Sequence, residues 1–271
     1  MWNYKKAIVI GCPGAGKSTF SKKLHAVTNL PLFHMDALYW NKDCTHISQE
    51  ALVRKQKEIF KQERFIVDGN YISTLELRIQ EADIVFLFDL PTETCLNGAK
   101  NRKGNTPEMP CFLPSNAELL EYISHFSADV MPRISRLLRQ YNKQTVCFRS
   151  HQEVDAYIDK LRTVTVQIDR PLGTFHPEHK DLFYPINYGY IAGLLAGDGE
   201  EQDAYVLGVD TPVSVFCGKL IAIIHRTDDV EDKWVVAPEN MQFSVSEIER
   251  LVHFQEQYFA HTIELLFPTE A

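Results

Sequence analysis

Short apolar runs alternate with helical patterns in the first part of this chain of 271 residues. The apolar runs cover residues 7–10, 31–36, 65–71, 83–90 and 145–148. Between them, polar and apolar positions repeat with the period of an amphipathic helix. Buried strands that alternate with helices predict a parallel β-sheet with helices on both faces. In such a sheet, ligands bind at the carboxyl ends of the strands.

Several features mark where these helices begin and end. Residues 49–62 carry an amphipathic helical pattern. Capping boxes of the form S-x-x-E predict further helix starts at Ser73, Ser115 and Ser150. The helical region that begins at Ser115 is expected to reach Tyr141.

The pattern changes near residue 162, where short strand-like segments replace the strand–helix alternation. These segments cover residues 164–168, 204–209, 220–224 and 234–237. Short strands at such spacing predict a small β-barrel. A capping box at Ser246 predicts a final helix, whose apolar face would extend to Leu266 and pack on the barrel.

The charge distribution divides the chain at the same place. Up to residue 162 there are 22 Lys and Arg against 18 Asp and Glu, whereas the remainder has six against 18. This asymmetry predicts two domains, 1–162 and 163–271. The first, an α/β domain, has a charge that suits a nucleotide, and the acidic second domain suits divalent cations.

Other features of the sequence indicate where the protein is located and which partners it has. No apolar run reaches 18 residues, and the N-terminus does not resemble a signal peptide. The six cysteines form no C-x-x-C pair, which favours reduced, buried thiols in a cytoplasmic protein without membrane contact. No basic recognition helix or aromatic–basic patch is present, which argues against direct DNA binding. A homo-oligomer stays open.

The segment after the first strand matches G-x-x-x-x-G-K-[S/T], the phosphate-binding loop motif. It lies between the strand 7–10 and a helical pattern over 18–27, the context that the motif requires. Glycines let backbone N–H groups surround a phosphate, Lys17 would reach its oxygens, and the Ser18 hydroxyl would bind Mg²⁺. We therefore expect ATP as a ligand. The residues expected to bind it are Gly11, Gly14, Gly16, Lys17, Ser18 and Thr19.

Residues 4–162 resemble the adenylate-kinase-like P-loop phosphotransferases, and within them the DNA topology-modulation protein group. Besides the loop, the matching motifs are His34-Met35-Asp36 and Asp68-Gly69-Asn70-Tyr71. The resemblance implies that Asp36 lies beside the phosphoryl acceptor, which the sequence does not identify, and that Asp68 supports Mg²⁺. Both carboxylates also suit ordinary turns.

Basic residues of the same half are candidates for a clamp on the transferred phosphoryl group. These candidates are Arg78, Arg102 and Lys103. Residues 97–110 contain two glycines and two prolines, a composition that is typical of a mobile lid loop.

Two acidic clusters stand out in the second half. Asp198, Glu200 and Asp203 lie within six residues around a glycine, and a second cluster covers residues 228–233. Dense carboxylate oxygens suit Mg²⁺, and two clusters at one cavity could hold several ions on a pyrophosphate. An acidic surface loop is the alternative interpretation.

Residues 164–266 resemble the soluble inorganic pyrophosphatases of the OB-barrel type. The resemblance rests on Tyr184-Pro185-Ile186-Asn187-Tyr188-Gly189-Tyr190 followed by Asp198-Gly199-Glu200-Glu201-Gln202-Asp203. It implies Mg²⁺-dependent hydrolysis of pyrophosphate, with Asp203 beside the attacking water. The implied metal ligands are Asp198, Glu200, Asp203, Asp229 and Glu231. The implied phosphate contacts are Tyr188, Lys233 and Tyr258.

The second half departs from that family in places that carry charge. Glu200 replaces an aspartate, Phe259 replaces a lysine, and the segment between Val166 and Tyr184 has no clear counterpart of the usual lysine, glutamate and arginine. Phosphoryl transfer depends on charge neutralisation, so we expect slow hydrolysis. The alternatives are an ATP-binding switch that controls a phosphate-sensing, non-catalytic barrel, and a DNA-topology-associated protein.

Overall fold

The structure is a computed structural model that describes residue 2 and residues 4–102, 104, 106, 110–111 and 117–266. The chain forms two compact units, Met1–Ile158 and Asp159–Ala271. The predicted clamp residue Lys103 and the predicted helix start at Ser115 lie outside the described residues.

The first unit alternates strands and helices, as the apolar pattern predicts. Its elements are β1 Lys6–Gly11, α1 Lys17–Thr28, β2 Leu32–His34, α2 Met35–Tyr39, α3 Gln49–Phe60, β3 Phe65–Asp68, α4 Leu75–Glu81, β4 Ile84–Phe88, α5 Thr92–Lys100, α6 Ala117–Asp129, α7 Met131–Gln140, β5 Gln144–Phe148 and α8 His151–Leu161.

The five strands of this unit form a parallel sheet in the order β2-β3-β1-β4-β5. The central strand β1 pairs with β3 on one side and β4 on the other. Its residues Ala7, Ile8, Val9 and Ile10 have no exposed surface. Strands that are buried on both faces need continuous apolar runs, as β1 has. The structure confirms the parallel sheet that these runs predict.

Several boundaries differ from the sequence prediction. The helical region predicted to reach Tyr141 is divided between α6 and α7, and Pro132 stands in the first turn of α7. Proline lacks an N–H donor and fits the first turn, so the second helix starts there. Asp36, predicted to end a strand, lies in the first turn of α2. The start predicted at Ser73 falls in a 3₁₀ turn, Ile72–Thr74, ahead of α4.

The prediction that all six cysteines are reduced and buried is wrong. Cys44 and Cys111 form a disulfide, although 67 residues separate them in sequence. Cys12 and Cys95 are free and buried as expected, whereas Cys217 is exposed. Spacing along the chain does not reveal which distant cysteines the fold brings together.

Up to residue 266, where the described part of the second unit ends, it is mainly β-structure with one helix. Its elements are β6 Thr163–Arg170, β7 Asn187–Leu195, β8 Glu201–Val206, β9 Val215–Arg226, β10 Lys233–Ala237, α9 Val245–Glu256 and β11 His261–Leu265.

These strands form a mixed sheet in the order β10-β8-β7-β6-β9-β11, and β10 also pairs with β9. The pair β8–β10 is parallel, and the other pairs are antiparallel. A core that includes Tyr188, Tyr205, Ile224, Val235 and Val252 fills the space between the strands and α9.

The C-terminal part differs from the sequence prediction. The capping box of α9 is formed by Ser244 and Glu247, not by Ser246 and Glu249. The helix ends at Glu256, and residues 261–265, predicted to continue it, form β11 beside β9. Among the described residues, none of the helices combines the length and the hydrophobicity that a membrane span requires.

Candidate functional site

The glycine-rich loop of the first unit joins the end of β1 to the start of α1. Gly14 and Gly16 have left-handed backbone angles, with φ of +82° and +90°, which strain any residue with a Cβ. Gly16 is the N-cap, so α1 begins at Lys17 and directs its free N–H groups toward the loop. Ser18 and Thr19 follow in the first turn.

Close backbone contacts hold this loop in place. A Cβ at Gly98, on α5, would come within 2.1 Å of the Gly14 oxygen, so only glycine permits this approach. The Asn70 side chain accepts a hydrogen bond from Gly11 N at 2.8 Å and donates one to Gly11 O. The loop conformation is therefore fixed by α5 and by the segment after β3.

Lys17 is almost fully buried, and its ammonium group donates to a neutral backbone carbonyl. Its Nζ donates to the Cys12 carbonyl at 2.8 Å, and 9% of the residue is exposed. Burial lowers the pKa of Lys17 and nearby Arg102 adds to this, whereas Asp68 and Asp36 act in the opposite direction. The structure thus brings together four residues that the sequence marked as candidates.

Both candidate carboxylates of the first unit have defined partners. The Asp36 carboxylate accepts a hydrogen bond from the Tyr71 hydroxyl at 2.7 Å. Asp68 Oδ2 lies 2.9 Å from His34 Nδ1 and is 3% exposed as a residue. These bonds orient the two carboxylates beside Lys17.

A cavity of about 600 Å³ opens over the loop. Its lining includes the predicted Gly14, Gly16, Lys17, Ser18, Thr19, Asp36 and Arg102, together with His151 and Asp155. A cavity of this size accommodates a nucleotide-sized ligand.

Arg78, a predicted clamp residue, does not belong to this cavity. It has no exposed surface, and its guanidinium donates to the Gln56 side chain at 2.9 Å and to the backbone oxygens of Gly69 and Asn70. Burial lowers its pKa to about 9. Its role is to hold the turn after β3, so its assignment to the clamp is wrong.

In the second unit, a buried lysine links two of the predicted carboxylates. Lys233 Nζ donates to Asp203 Oδ2 at 2.7 Å and to Glu231, and the residue is 4% exposed. The strand register explains this contact: Trp234 pairs with Ala204 in the parallel β8–β10 ladder, so the residues just before them are neighbours.

Asp203 has a second donor on the adjacent strand β7. The Tyr188 hydroxyl donates to Asp203 Oδ2 at 2.5 Å. Both donors therefore use Oδ2, and within the part of the chain that the structure describes no side chain or backbone group donates to Oδ1. Asp203, which the sequence placed in an acidic loop, lies on β8, where the sheet fixes its position.

Burial raises the pKa of Glu231, and Lys233 lowers it, while Asp203 and Asp198 raise it further. The predicted ligands Asp198, Asp203 and Glu231 therefore share one electrostatic environment. Asp198 Oδ1 accepts a hydrogen bond from the backbone N of Glu200 at 2.9 Å, in the turn before β8, and Glu200 itself is exposed.

The remaining predicted residues are engaged elsewhere. Asp229 accepts from Arg226 Nη1 at 2.9 Å, and Arg226 also forms a two-bond pair with the buried Glu256. The centre of the Phe259 ring lies 3.6 Å from the Arg226 guanidinium. Tyr258 is 71% exposed. Among the described residues, no three His, Cys, Asp or Glu side chains are grouped closely enough to hold a metal ion.

Sequence reasoning missed Asp169 and Arg170 at the end of β6. Arg170 is opposite Tyr188 in the β6–β7 ladder, and its guanidinium lies 5.3 Å from the Tyr188 ring centre. Burial raises the pKa of Asp169, which Arg170 lowers and Asp203 raises. The strand predicted over 164–168 extends in the structure to Arg170, so a longer predicted strand would have included both residues.

Comparisons with known proteins relate the C-terminal region to one enzyme class, while no protein-family model matches the chain. The chain is 31% identical over 125 residues to inorganic pyrophosphatase 1 of Pseudomonas syringae pv. tomato, an alignment that covers 40% of this chain and 67% of that protein. Identity to the inorganic pyrophosphatase of Pseudomonas aeruginosa is 29% over the same shares.

Among solved structures, the chain matches the inorganic pyrophosphatase from Ehrlichia chaffeensis at 20% identity, with a TM-score of 0.32, over 39% of this chain and 86% of that one. These two sequence alignments agree with the resemblance to inorganic pyrophosphatases that the motifs around Tyr188 and Asp203 indicate. Through its C-terminal region, the chain therefore belongs to the inorganic pyrophosphatase family.

Proposed function

We propose that the C-terminal unit hydrolyses pyrophosphate to two phosphates with Mg²⁺. The observation that carries this proposal is the buried Lys233, held by Asp203 and Glu231 beside the Tyr188 hydroxyl. The two carboxylates hold this buried ammonium group in a fixed position on the sheet. Hydrolysis of pyrophosphate requires charged groups in fixed positions around the transferred phosphoryl group.

The donor set fits Mg²⁺. Asp198, Asp203 and Glu231 offer only carboxylate oxygens, which hard divalent cations prefer. Burial raises the pKa of Glu231, and the charges of Asp203 and Asp198 raise it further. Among the described residues no three such side chains are grouped closely enough to hold an ion by themselves, so Asp198, Asp203 and Glu231 would hold Mg²⁺ only together with the oxygens of pyrophosphate. When bound, Mg²⁺ supplies positive charge that neutralises pyrophosphate and makes water more acidic.

Side chains of the second unit then orient the attacking water and accept its proton. Oδ2 of Asp203 is occupied by Tyr188 and Lys233, so Oδ1 remains to accept a proton from the attacking water. Lys233 limits the repulsion between Asp203 and the incoming anion. Tyr188 fixes the direction in which the Asp203 carboxylate points.

Phosphate release by the full chain tests this proposal. We expect release from pyrophosphate with Mg²⁺ and none with excess chelator. Asp203→Asn should lower kcat by about 10²-fold, because the amide keeps the size but does not accept the proton. Asp210→Asn, at an exposed position of the same unit, is the matched control. Turnover that is equal in wild type and Asp203→Asn would refute the assigned role.

The phosphate-sensing alternative makes a different prediction for the same protein. A sensing unit binds pyrophosphate or phosphate with Mg²⁺ without releasing product. Saturable binding in calorimetry together with no phosphate release would favour sensing over catalysis.

For the first unit we propose an ATP-dependent phosphotransferase. The observation that favours it is the cavity of about 600 Å³ whose lining joins the glycine loop to Lys17, Asp36 and Arg102. Lys17 and Arg102 would stabilise charge on the transferred phosphoryl group, and Ser18 and Asp68 would hold Mg²⁺ directly and through water. Asp36 would accept the proton of the acceptor hydroxyl.

ATP turnover with a panel of small acceptors tests this second proposal. Lys17→Ala should abolish turnover, whereas Lys61→Ala, whose side chain is 70% exposed, should not change it. An ATP-binding switch would bind ATP without any turnover. A DNA-associated role would instead appear as DNA binding that weakens steeply with salt.

A further inference from the structure

The disulfide of the first unit is one bond among six cysteines. It joins Cys44 to Cys111, and the other four cysteines are free thiols. Two of these free thiols, Cys12 and Cys95, are buried, and Cys217 is exposed. In a disulfide-rich domain most cysteines are paired and the bonds replace a core, whereas this unit has a large apolar core of its own. The place of the bond in the fold therefore indicates its role.

Cys44 lies in a hairpin, residues 40–47, that follows α2. The Asn41 N–H donates to the Thr45 carbonyl at 2.9 Å, and the Cys44 N–H donates to the Asn41 carbonyl at 3.0 Å. Cys44 has a φ of 62°, in the left-handed region that residues with a Cβ adopt only at a cost. The hairpin and the disulfide together hold Cys44 in this conformation, which it can leave when the bond is broken.

The hairpin contacts the tyrosine that orients Asp36. The Tyr39 ring, next to the hairpin, stacks on the His46 ring with 4.9 Å between ring centres, and it lies 5.0 Å from the Tyr71 ring. The Tyr71 hydroxyl donates to the Asp36 carboxylate at 2.7 Å. A displacement of the hairpin therefore reaches Asp36, which lines the cavity over the glycine loop.

The other cysteine follows a second set of cavity residues. Arg102, Gly104 and Thr106 also line the cavity, and Cys111 is the fifth residue after Thr106. Five residues span at most about 18 Å when fully extended, so a fixed Cys111 limits how far Thr106 can move. The disulfide thus ties the residues on both sides of the cavity to each other.

The two cysteines differ in how easily a reagent reaches them. Cys111 is 6% exposed, whereas Cys44 is half-buried in the hairpin. Thiol–disulfide exchange requires that a thiolate reach one of the two sulfur atoms. A reductant therefore attacks at Cys44, and Cys111 is the leaving group.

We propose that the Cys44–Cys111 disulfide is a reversible redox switch on the phosphotransferase site, and that a dithiol reduces it. This inference rests on the proposed function of the first unit. One thiolate of the dithiol attacks Cys44 Sγ, the S–S bond breaks, and Cys111 leaves as a thiolate that takes up a proton. The second thiolate of the dithiol attacks the dithiol sulfur of the mixed disulfide and releases Cys44, which also takes up a proton. Two electrons pass to the protein, and the dithiol becomes a disulfide.

The switch acts on how often the cavity is ready for ATP. In the oxidised form, the bond holds Asp36 on one side and Thr106 on the other before the nucleotide binds. In the reduced form the two sides can separate. A protein whose binding-competent state is only partly populated binds its ligand more weakly in proportion to that population. Reduction should therefore weaken the binding of ATP.

The test measures nucleotide binding by the full chain in two redox states. The oxidised chain and the chain reduced with dithiothreitol are each titrated by calorimetry with the non-hydrolysable β,γ-methylene analogue of ATP and Mg²⁺. Thiol labelling after unfolding, read by mass spectrometry, should give four labels for the oxidised chain and six for the reduced chain. Cys44→Ser removes the bond, and Cys217→Ser, at an exposed free cysteine, is the matched control.

We expect reduction to raise the Kd of the analogue by about threefold to tenfold. Cys44→Ser should bind like the reduced wild type under both conditions, and Cys217→Ser should follow wild type in both. Hydrogen exchange provides a measurement that needs no nucleotide. The amide protons of Asn41 and Cys44, which are hydrogen-bonded in the hairpin, should exchange faster after reduction.

A Kd that agrees within about twofold between the two redox states would overturn the inference and leave the proposed function intact. Six labels in the oxidised sample would overturn it as well, because the bond would not form. A reduced chain whose first unit is unfolded in melting curves would also overturn it, because the bond would then be purely structural.

If neither redox form binds the analogue, the proposed function fails, and hydrogen exchange decides the inference. Exchange of the hairpin amides that reduction leaves unchanged would overturn the tether, and faster exchange would support it. If Cys44→Ser does not fold, the oxidised and reduced forms of wild type decide the question without a variant.

Discussion

The two units each bury a lysine beside two carboxylates, yet they use it in opposite ways. Lys17 donates to a backbone carbonyl, and Asp36 and Asp68 are satisfied by Tyr71 and His34 instead. Lys233 donates directly to both of its carboxylates, Asp203 and Glu231.

The difference concerns where the charge is compensated. A lysine held by a neutral carbonyl keeps its charge for an incoming anion, as a phosphate-binding loop requires. A lysine held by two carboxylates is neutralised, and its removal leaves two partly buried like charges together. The arrangement around Lys17 therefore suits direct binding of a phosphate. The arrangement around Lys233 suits a site in which the carboxylates also bind further cations.

The largest expected effect comes from removing each lysine in turn. Lys17→Met should abolish ATP turnover, at a loss of about 10²-fold or more, and leave pyrophosphate hydrolysis unchanged. Lys233→Met should do the reverse. It should also destabilise the second unit by about 1.5–3 kcal/mol, because the partly buried Asp203 and Glu231 lose their shared partner, whereas Lys17→Met should be nearly neutral.

Paired activity assays and denaturant titrations of the full chain measure this contrast. Equal losses of stability in both variants would show that the two lysines are compensated in the same way. Loss of both activities in either variant would show that the sites are not separable.

The second contrast uses two glycines that the backbone approaches closely. A Cβ at Gly98 would meet the Gly14 oxygen at 2.1 Å, and a Cβ at Gly189 would meet the Gln167 oxygen at 1.9 Å. Gly98→Ala should displace the glycine loop and lower ATP affinity, while Gly189→Ala should separate β6 from β7 and lower pyrophosphate turnover. We expect each to cost about 1–3 kcal/mol of stability. Unchanged melting temperatures would contradict this.

A third, smaller contrast removes the tyrosine hydroxyl that orients a carboxylate in each unit. Tyr71→Phe removes the donor to Asp36, and Tyr188→Phe removes the donor to Asp203. Each should lower kcat of its own reaction by about threefold to tenfold, with about 1 kcal/mol lost in stability. Kinetics of the other reaction in the same variant serve as the control. An effect on KM alone would argue against an orienting role.

The smallest effect concerns pH and the second unit alone. A hydrogen bond to Asp232 raises the pKa of His225 to about 9 from 6.5, against burial and with help from Glu264. The pKa is higher in the folded state, so the stabilisation is complete below pH 6.5 and is lost as pH rises through about 9. His225 is 37% exposed, which limits the size of the effect.

Urea midpoints between pH 6 and pH 9.5 measure this dependence in wild type and His225→Gln. The variant should show a flatter profile over that interval, and His253→Gln, on the exposed side of α9, should follow wild type. A wild-type profile retained in His225→Gln would assign the dependence to another group.

Local patterns predicted the features that depend on neighbours in sequence. The loop around Lys17 and the strand β1 were predicted because the residues that form them are contiguous. The capping of α8 by Ser150 was predicted for the same reason, and its Oγ accepts from Glu153 N at 3.2 Å.

Contacts between distant segments were missed because sequence spacing does not contain them. The Cys44–Cys111 disulfide depends on how the chain folds back, and the Asp203–Lys233 pair depends on the parallel register of β8 and β10. The position of Arg170 over Tyr188 follows from the β6–β7 register, which no motif records. Independent folding of 1–162 and 163–271 stays a prediction.

The central place of β1 has a consequence for protein synthesis. This strand is synthesised before its partners β3 and β4, which follow some 60 and 80 residues later. Gly11 finds its Asn70 partner only when β3 has been made, and its contact with Phe88 only when β4 has. Until then the nascent chain exposes an unpaired apolar strand, a kind of segment that is prone to aggregate. The contacts that hold the end of β1 and the loop after it are therefore complete only after Phe88 has emerged.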